Sequence, residues 1–195
     1  MKRLDCLKLL APMVDPHMLT VTSLSSNTAF WSDLRREGAS FFGCNMGLCI
    51  PFALGLTAAF PKRKVIALDS DGSLMNDTSS LITVADVNPP NFVAIVMDNG
   101  SYARMGSTFT TRKTDLEKIA QGAGIANTAT VRSEEAFSAA ARQALESTGP
   151  HFIVAKVEPD RVRVKGDPHR TYGRFMREMF ADAVRRHPDY QQARK

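Results

Sequence analysis

The sequence contains no uninterrupted apolar run of the roughly 18 residues that a membrane-spanning helix requires. Its N-terminal segment MKRLDCLKLLAPMVDPH is also unlike a signal peptide, because Asp5 and Lys8 interrupt the short apolar stretch. The composition, with 44% hydrophobic and 23% charged residues among 195, is typical of a globular protein with one sizeable core. We therefore expect a cytoplasmic protein that binds no membrane.

Cysteines are few, and the common nucleotide-binding motifs are missing. The three cysteines, Cys6, Cys44 and Cys49, are odd in number and lack the CxxC spacing of a zinc site. We expect reduced, mostly buried thiols, with a reactive thiol at Cys49 as the alternative. Neither a Walker A sequence nor GxGxxG occurs, which argues against a P-loop NTPase and a typical dinucleotide-binding domain.

The net charge of +5 comes entirely from the end of the chain. Residues 159–195 carry ten basic side chains against five acidic ones, and the preceding part is neutral. This tail can be a solvated helix face, a contact for an acidic partner subunit or an anion-steering patch, and none of these needs nucleic acid. We predict a main domain over residues 1–158 and a basic helical extension over 159–195, docked on that domain or on a partner.

Six apolar, β-branched runs alternate with segments that can form helices, which is typical of βαβ units. The residues at 65–68 and 92–97 are apolar throughout, as in central parallel strands covered on both faces. The pattern predicts an α/β fold with a doubly wound, mainly parallel six-stranded sheet and helices on both faces. The six predicted strands are 19–24, 40–42, 64–69, 92–97, 125–131 and 152–157.

Helix signals occupy the gaps between the runs. Asn27 can cap a helix that ends near Gly38, and Thr114 with Glu117 forms a capping box. Ser133 can begin another helix, which the following Gly-Pro pair closes. Two further helices are predicted over residues 47–60 and 74–87.

Polar clusters follow two of the predicted strands. The strand at 64–69 leads into Ser70, Asp71, Gly72 and Ser73, and the strand at 92–97 leads into DNGSY. Ligands of doubly wound folds bind just beyond the carboxyl ends of strands. Small residues there let a phosphate approach the backbone, and a following helix directs free amides at it.

The carboxylate of Asp71 would repel a phosphate unless a hard cation lay between them. Mg²⁺ typically binds one or two carboxylates together with phosphate oxygens. Asn99, 28 positions after Asp71, offers an amide oxygen, and Ser101 offers a backbone carbonyl. The pair of clusters therefore predicts a metal-bridged diphosphate. Taken alone, DSDGS is an ordinary turn sequence, and its glycine lies too early for a calcium-binding EF-hand loop.

The two clusters resemble the GDG…N motif of thiamine diphosphate (ThDP)-dependent enzymes, and the run GCNMGLCIPFALGLTAAFPKRKVIALDSDGSLMND resembles their decarboxylases. The resemblance covers roughly residues 40–157. Within that group the chain is most similar to the β subunit of sulfopyruvate decarboxylase and to phosphonopyruvate decarboxylase, through DGSLMN, MDNGSYARMGSTFT and GPHFIVAKVEP.

The resemblance implies ThDP and Mg²⁺ as cofactors. It also implies that Met46 is the bulky apolar residue beneath the bent cofactor, although a core position suits Met46 equally well. Two departures are Ser70 for the first glycine of the triplet and SYARMG for a glycine-rich stretch. The implied metal ligands are Asp71, Asn99 and Ser101, and the implied cofactor contacts are Cys44, Asn45, Met46, Gly47, Ser70, Gly72, Ser73 and Tyr102.

The resemblance also implies a partner. The glutamate that activates the cofactor in this family belongs to a pyrimidine-binding domain, for which the chain is too short, so we expect an α subunit to supply it in a hetero-oligomer. The implied reaction is decarboxylation of a 2-oxo acid to an aldehyde, and Arg104 is a candidate contact for the substrate's anionic group. Two alternatives are that the chain is half of another ThDP-dependent carboligase or decarboxylase, or that it is a non-catalytic assembly subunit.

Overall fold

The computed structural model describes residues 1–35, 38–103, 105–159, 173–188 and 190. Within these residues the strands form one parallel sheet of six, and each predicted apolar run lies on one of them. The strands are β1 (Leu19–Ser23), β2 (Ala39–Cys44), β3 (Val65–Ser70), β4 (Phe92–Asp98), β5 (Asn127–Val131) and β6 (His151–Lys156). Their order across the sheet is β2-β1-β3-β4-β6-β5.

Helices cover both faces of the sheet, which confirms the doubly wound α/β fold. Ile66 and Leu68 face one apolar core and Val65 and Ala67 face the other, because successive side chains of a strand point to opposite sides. The helices are α1 (Arg3–Leu10), α2 (Ser26–Leu34), α3 (Cys49–Ala59), α4 (Asp71–Leu74), α5 (Ser80–Val87), α6 (Leu116–Ala123), α7 (Glu134–Glu146) and α8 (Gly173–Arg185). Helices α1, α2 and α7 contribute to the first core, and α3, α5 and α6 to the second.

The strand order indicates a binding crevice at the carboxyl end of the sheet. From β1 the chain moves outward to β2 and then returns to β3 on the other side of β1, so the direction of winding reverses between β1 and β3. Such a switch point opens a crevice at the carboxyl ends of the strands. Ser70 pairs with Met97 at the ends of β3 and β4, so the loops that follow begin at the same level.

Two of the predicted helix caps are wrong. Asn27 lies inside α2, where its buried amide donates to the backbone oxygens of Leu68 (3.2 Å) and Asp69 (2.8 Å), so a tertiary role replaces capping. The cap of α6 is Asp115 and not Thr114, because the Asp115 carboxylate accepts from two amides of the first turn. Ser133 does cap α7, accepting from the amide of Ala136 at 3.2 Å.

The single helix predicted over 74–87 is also wrong. The residues after β3 coil at once into the short helix α4, which begins at Asp71 itself, and the longer helix α5 starts only at Ser80. Asp77 holds the break, since its carboxylate accepts from the Ser80 amide at 3.2 Å and from the Ser79 hydroxyl at 2.5 Å. The predicted diphosphate-binding residues therefore form the first turn of a helix.

Helix α8 packs beside the edge strand β2. The ring of Phe180 meets that of Phe41 edge to face, with centroids 5.5 Å apart, and Val184 reaches the second core. Most of the basic side chains of the tail lie outside the described residues, and the division at residue 158 stays a prediction. Among helices of the described ranges, none has the length and apolar character needed to cross a membrane.

Candidate functional site

Asp71 lies at the centre of the crevice and is fully buried. Its Oδ2 atom accepts a 2.6 Å hydrogen bond from the hydroxyl of Thr108. Its Oδ1 atom has no hydrogen-bond partner among the residues that the structure describes. A buried carboxylate oxygen without a partner is costly, so this atom is suited to a cation. Burial raises the pKa of Asp71, against the hydrogen bond from Thr108.

The neighbouring acid, Asp98, has partners for both of its oxygens. At the end of β4 it forms an ion pair with Lys156 of β6 and accepts a 2.8 Å hydrogen bond from Thr110. The hydroxyls of Thr110 and Thr108 lie 2.8 Å apart, which connects the two acids. The charge of Asp98 is therefore balanced within the chain, and Asp71 is the acid available to a metal.

Asn99 and Ser101 lie together in a tight hairpin after β4. The Asn99 side-chain oxygen accepts from the Ser101 amide at 3.0 Å, and Ser101 pairs with Ser107 across the hairpin. Gly100 between them has a φ of +66°, and a Cβ there would lie 2.5 Å from the Thr111 side chain. Because the amide of Thr108 donates to the Gly100 carbonyl at 2.9 Å, the same threonine joins this hairpin to Asp71.

Gly72 and Tyr102 bring the two loops into direct contact. A Cβ added to Gly72 would lie 2.7 Å from two carbons of the Tyr102 ring, so the ring lies directly against the backbone of α4. Ser70, the last residue of β3, is half-buried beside it. This contact favours a glycine at position 72, whether or not a phosphate also approaches the backbone there.

The loop between β2 and α3 reaches the same site. Its Gly47 has a φ of +81°, and the Gly47 amide donates to the buried hydroxyl of Ser73 at 3.2 Å. Asn45 is exposed and Met46 is half-buried, so both can be reached from outside the protein. Cys44 ends β2 and is buried, which raises the pKa of its thiol to about 11.

Residues 26–155 match the family described as thiamine pyrophosphate enzyme, C-terminal TPP binding domain. The chain belongs to this family. Thiamine pyrophosphate, another name for ThDP, is its cofactor, and Mg²⁺ is the usual partner metal of such enzymes. The family match confirms the resemblance to ThDP-dependent enzymes.

Individual relatives extend this picture. The chain is 33% identical to the sulfopyruvate decarboxylase subunit beta of Methanocaldococcus jannaschii, over 81% of this chain and 85% of that protein. It is 29% identical to the phosphonopyruvate decarboxylase of Streptomyces viridochromogenes, over 80% of this chain but 39% of the relative. A ThDP-dependent 4-hydroxybenzoylformate decarboxylase of Rhodococcus jostii superposes with a TM-score of 0.67 at 26% identity, covering 83% of this chain and a third of that one.

At the site of this thiamine pyrophosphate enzyme, the structure adds detail for Ser73. The Ser73 hydroxyl points inward to Gly47, so its amide is the group left for a phosphate. Arg104, the candidate substrate contact, lies outside the described residues. The other expected ligands and contacts lie on the three loops that meet at the carboxyl ends of β2, β3 and β4.

Sequence reasoning missed several polar residues of this site. Thr108, Thr110 and Lys156 lie in stretches that resemble the decarboxylases, and the threonine-rich run STFTT is the signal that could have indicated hydroxyls near the metal. Asp69, the last residue of the predicted strand, is buried, and burial raises its pKa to about 6. Hydrogen bonds from Ser73 and from the Ser70 amide partly offset that burial.

Cys49, the possible reactive thiol, is a packing residue. It is fully buried at the start of α3, and its sulfur lies 3.5 Å from the Val21 carbonyl and 3.7 Å from that of Leu68. Burial raises the pKa of the Cys49 thiol well above its usual range, which keeps it protonated and unreactive.

Proposed function

We propose that this chain is the β subunit of a ThDP- and Mg²⁺-dependent 2-oxo-acid decarboxylase of the sulfopyruvate or phosphonopyruvate type. The observation that carries the proposal is the buried Asp71 carboxylate, with one oxygen unpartnered among the described residues, at the meeting point of two strand-end loops. The relatives named as sulfopyruvate and phosphonopyruvate decarboxylases support the substrate class.

The donor set suits the group. The carboxylate of Asp71, the side-chain oxygen of Asn99 and the backbone carbonyl of Ser101 would hold Mg²⁺, since hard oxygen ligands are what this ion prefers. Backbone amides at the start of α4 would face the diphosphate, which the small residues Ser70, Gly72 and Ser73 leave accessible. Tyr102 and the loop Cys44, Asn45, Met46 and Gly47 would contact the remainder of the cofactor.

When bound, ThDP supplies the electron sink for the loss of CO₂ from the substrate. The residues of this chain bind and orient. Thr108 holds Asp71 by a hydrogen bond, Lys156 neutralises Asp98 beside it, and the half-buried Met46 would contact the cofactor. Arg104 is proposed to pair with the anionic group of the substrate, as a guanidinium can hold a carboxylate, sulfonate or phosphonate by two hydrogen bonds.

The catalytic glutamate is proposed to lie on a pyrimidine-binding α subunit. Two facts support this: several relatives are named as subunit beta, and the chain spans only 39% of the single-chain phosphonopyruvate decarboxylase. The remaining part of such a single chain would correspond to a separate partner here. Alone, the present chain would then bind part of the cofactor but turn over no substrate.

Reconstitution tests this function. The chain is co-expressed with the pyrimidine-domain subunit of its own organism, and CO₂ release is measured from sulfopyruvate, phosphonopyruvate, pyruvate and benzoylformate, with and without ThDP and Mg²⁺. We expect release only from the pair, only with both cofactors, and fastest from a sulfonated or phosphonated acid. Cofactor binding without release from any of these acids would instead support an assembly subunit.

A further inference from the structure

Thr108 makes two bonds that join the halves of the metal site. Its hydroxyl donates to Asp71 Oδ2 at 2.6 Å, across 37 positions of sequence, and its amide donates to the carbonyl of Gly100 at 2.9 Å. The residue is fully buried. One of its bonds therefore sets the carboxylate after β3, and the other closes the hairpin after β4 that contains Asn99 and Ser101.

A row of polar groups lies behind the Thr108 hydroxyl. The Thr110 oxygen is 2.8 Å from the Thr108 oxygen, 2.8 Å from Asp98 Oδ1 and 3.4 Å from Asp71 Oδ2, and its single proton goes to one of these three acceptors. The other oxygen of Asp98 is paired with Lys156, whose side chain is 25% exposed at the far end of the row. The row runs from β6 across β4 to the loop after β3, so three strands contribute to the orientation of one carboxylate.

We propose that Thr108 is a positioning residue for the metal, which holds Asp71 and the Asn99 hairpin in register, and that the neighbouring Thr110 hydroxyl supports this arrangement. The proposal rests on the function proposed above, in which Asp71 and Asn99 bind Mg²⁺. Mg²⁺ requires near-ideal octahedral geometry, so its ligands have little freedom. With Oδ2 of Asp71 bonded to Thr108, Oδ1 is the oxygen turned toward the ion.

A structural role in packing alone predicts a different outcome from a role in positioning. Thr108→Val keeps the shape of the side chain but removes the hydroxyl, and Thr108→Ser keeps the hydroxyl but removes a methyl group. If positioning is the role, metal affinity follows the hydroxyl, whereas packing alone would make it follow the methyl group. Thr57→Val is the matched control, since the Thr57 hydroxyl is also buried but bonds only the Leu54 carbonyl of its own helix.

The experiment uses the full chain in complex with its pyrimidine-domain subunit and Mn²⁺ as a paramagnetic substitute for Mg²⁺. Free Mn²⁺ is measured by electron paramagnetic resonance at saturating ThDP, so the readout is metal affinity and not turnover. Loss of a residue that orients a metal ligand typically weakens binding by about 10- to 100-fold, which we expect for Thr108→Val. Thr108→Ser and Thr57→Val should bind Mn²⁺ as the wild type does.

A second variant guards against a folding defect in Thr108→Val. Thr110→Val changes a half-buried residue, leaves Thr108 itself in place and removes a hydroxyl that lies near Thr108, Asp98 and Asp71 Oδ2. We expect it to weaken Mn²⁺ binding less than Thr108→Val but measurably. If Thr108→Val folds and binds Mn²⁺ with wild-type affinity, the positioning role is overturned and the metal site stands. If Thr108→Val does not fold, wild-type affinity in Thr110→Val has the same meaning. Absence of Mn²⁺ binding by the wild type would overturn the metal site itself.

Discussion

The carboxylates of Asp71 and Asp98 are bridged by two threonine hydroxyls, yet their charges are balanced differently. Asp98 is paired with Lys156, whereas an oxygen of Asp71 lacks any partner in the part of the chain that the structure describes. Two like charges in a buried site are unfavourable together. The chain therefore neutralises one acid internally and leaves the other for a cation, which makes the stability of the metal-free protein depend on Asp71.

Asp71→Asn should separate stability from binding. The neutral amide avoids the cost of a buried carboxylate with an unsatisfied oxygen, so we expect the variant without metal to be at least as stable as the wild type, by up to about 1–3 kcal/mol. It should lose the gain in stability that Mg²⁺ with ThDP gives the wild type. Urea unfolding with a chelator, and again with both cofactors, measures the two effects; a less stable variant under chelation would contradict the argument.

Gly72→Ala should strain the contact with Tyr102. A Cβ at 2.7 Å from the ring must displace it, and overpacking of this kind costs about 1–3 kcal/mol in the free energy of unfolding. The loss should shrink when the substitution is made in a Tyr102→Ala background, because the ring is then absent. Chemical denaturation of the two single variants and the double variant completes this cycle.

Gly55→Ala is the matched control for that experiment. Gly55 lies in helix α3, and a Cβ there would have no neighbour within 4 Å in the described structure. Alanine is favoured over glycine inside a helix by roughly 0.5–1 kcal/mol, so this variant should gain stability. A similar loss at both positions would indicate a general intolerance of substitution and not the ring contact.

The fold could be predicted from the sequence because its signals are local and repeated. The apolar runs at 65–68 and 92–97 are typical of central strands, and in a parallel sheet the polar residues after them lie at the same end of the strands. The sequence therefore predicts that Asp71 and Asn99 lie at one end of the sheet.

The error at Asn27 and the omission of Thr108 concern contacts between distant parts of the chain, whereas the errors at the α6 cap and at the break before α5 are local. Asn27 is a residue type that often caps helices, but its side-chain amide donates to two backbone carbonyls of β3 instead. Thr108 meets Asp71 only because the hairpin after β4 folds back, and that bend depends on glycines and backbone bonds with no periodic pattern. Local rules predict elements, whereas a buried polar network depends on how loops pack on them.

His151 should make stability depend on pH well away from the cofactor site. Burial, and then the nearby charge of Lys64, lower the pKa of this imidazole from 6.5, so the folded state favours the neutral form. Below about pH 6.5 the unfolded chain binds a proton that the folded chain resists, and stability falls as the pH falls. His151→Gln should flatten the rise of the unfolding free energy as the pH approaches about 6.5 from below, measured under chelation. An unchanged slope would argue against a buried neutral imidazole.

Lys156→Met should show how much the ion pair between Lys156 and Asp98 contributes to the free energy of unfolding. Removal of the ammonium leaves the Asp98 carboxylate buried without its cation, and breaking a buried pair from one side typically costs about 3–5 kcal/mol. Because Lys156 is 25% exposed, we expect a smaller loss than this range, about 2–3 kcal/mol. Adding Asp98→Asn removes the unpaired charge, so the double variant should recover much of that loss in urea unfolding. If the double variant is no more stable than Lys156→Met alone, the apolar stem of the lysine, and not its charge, is what supports β4 and β6.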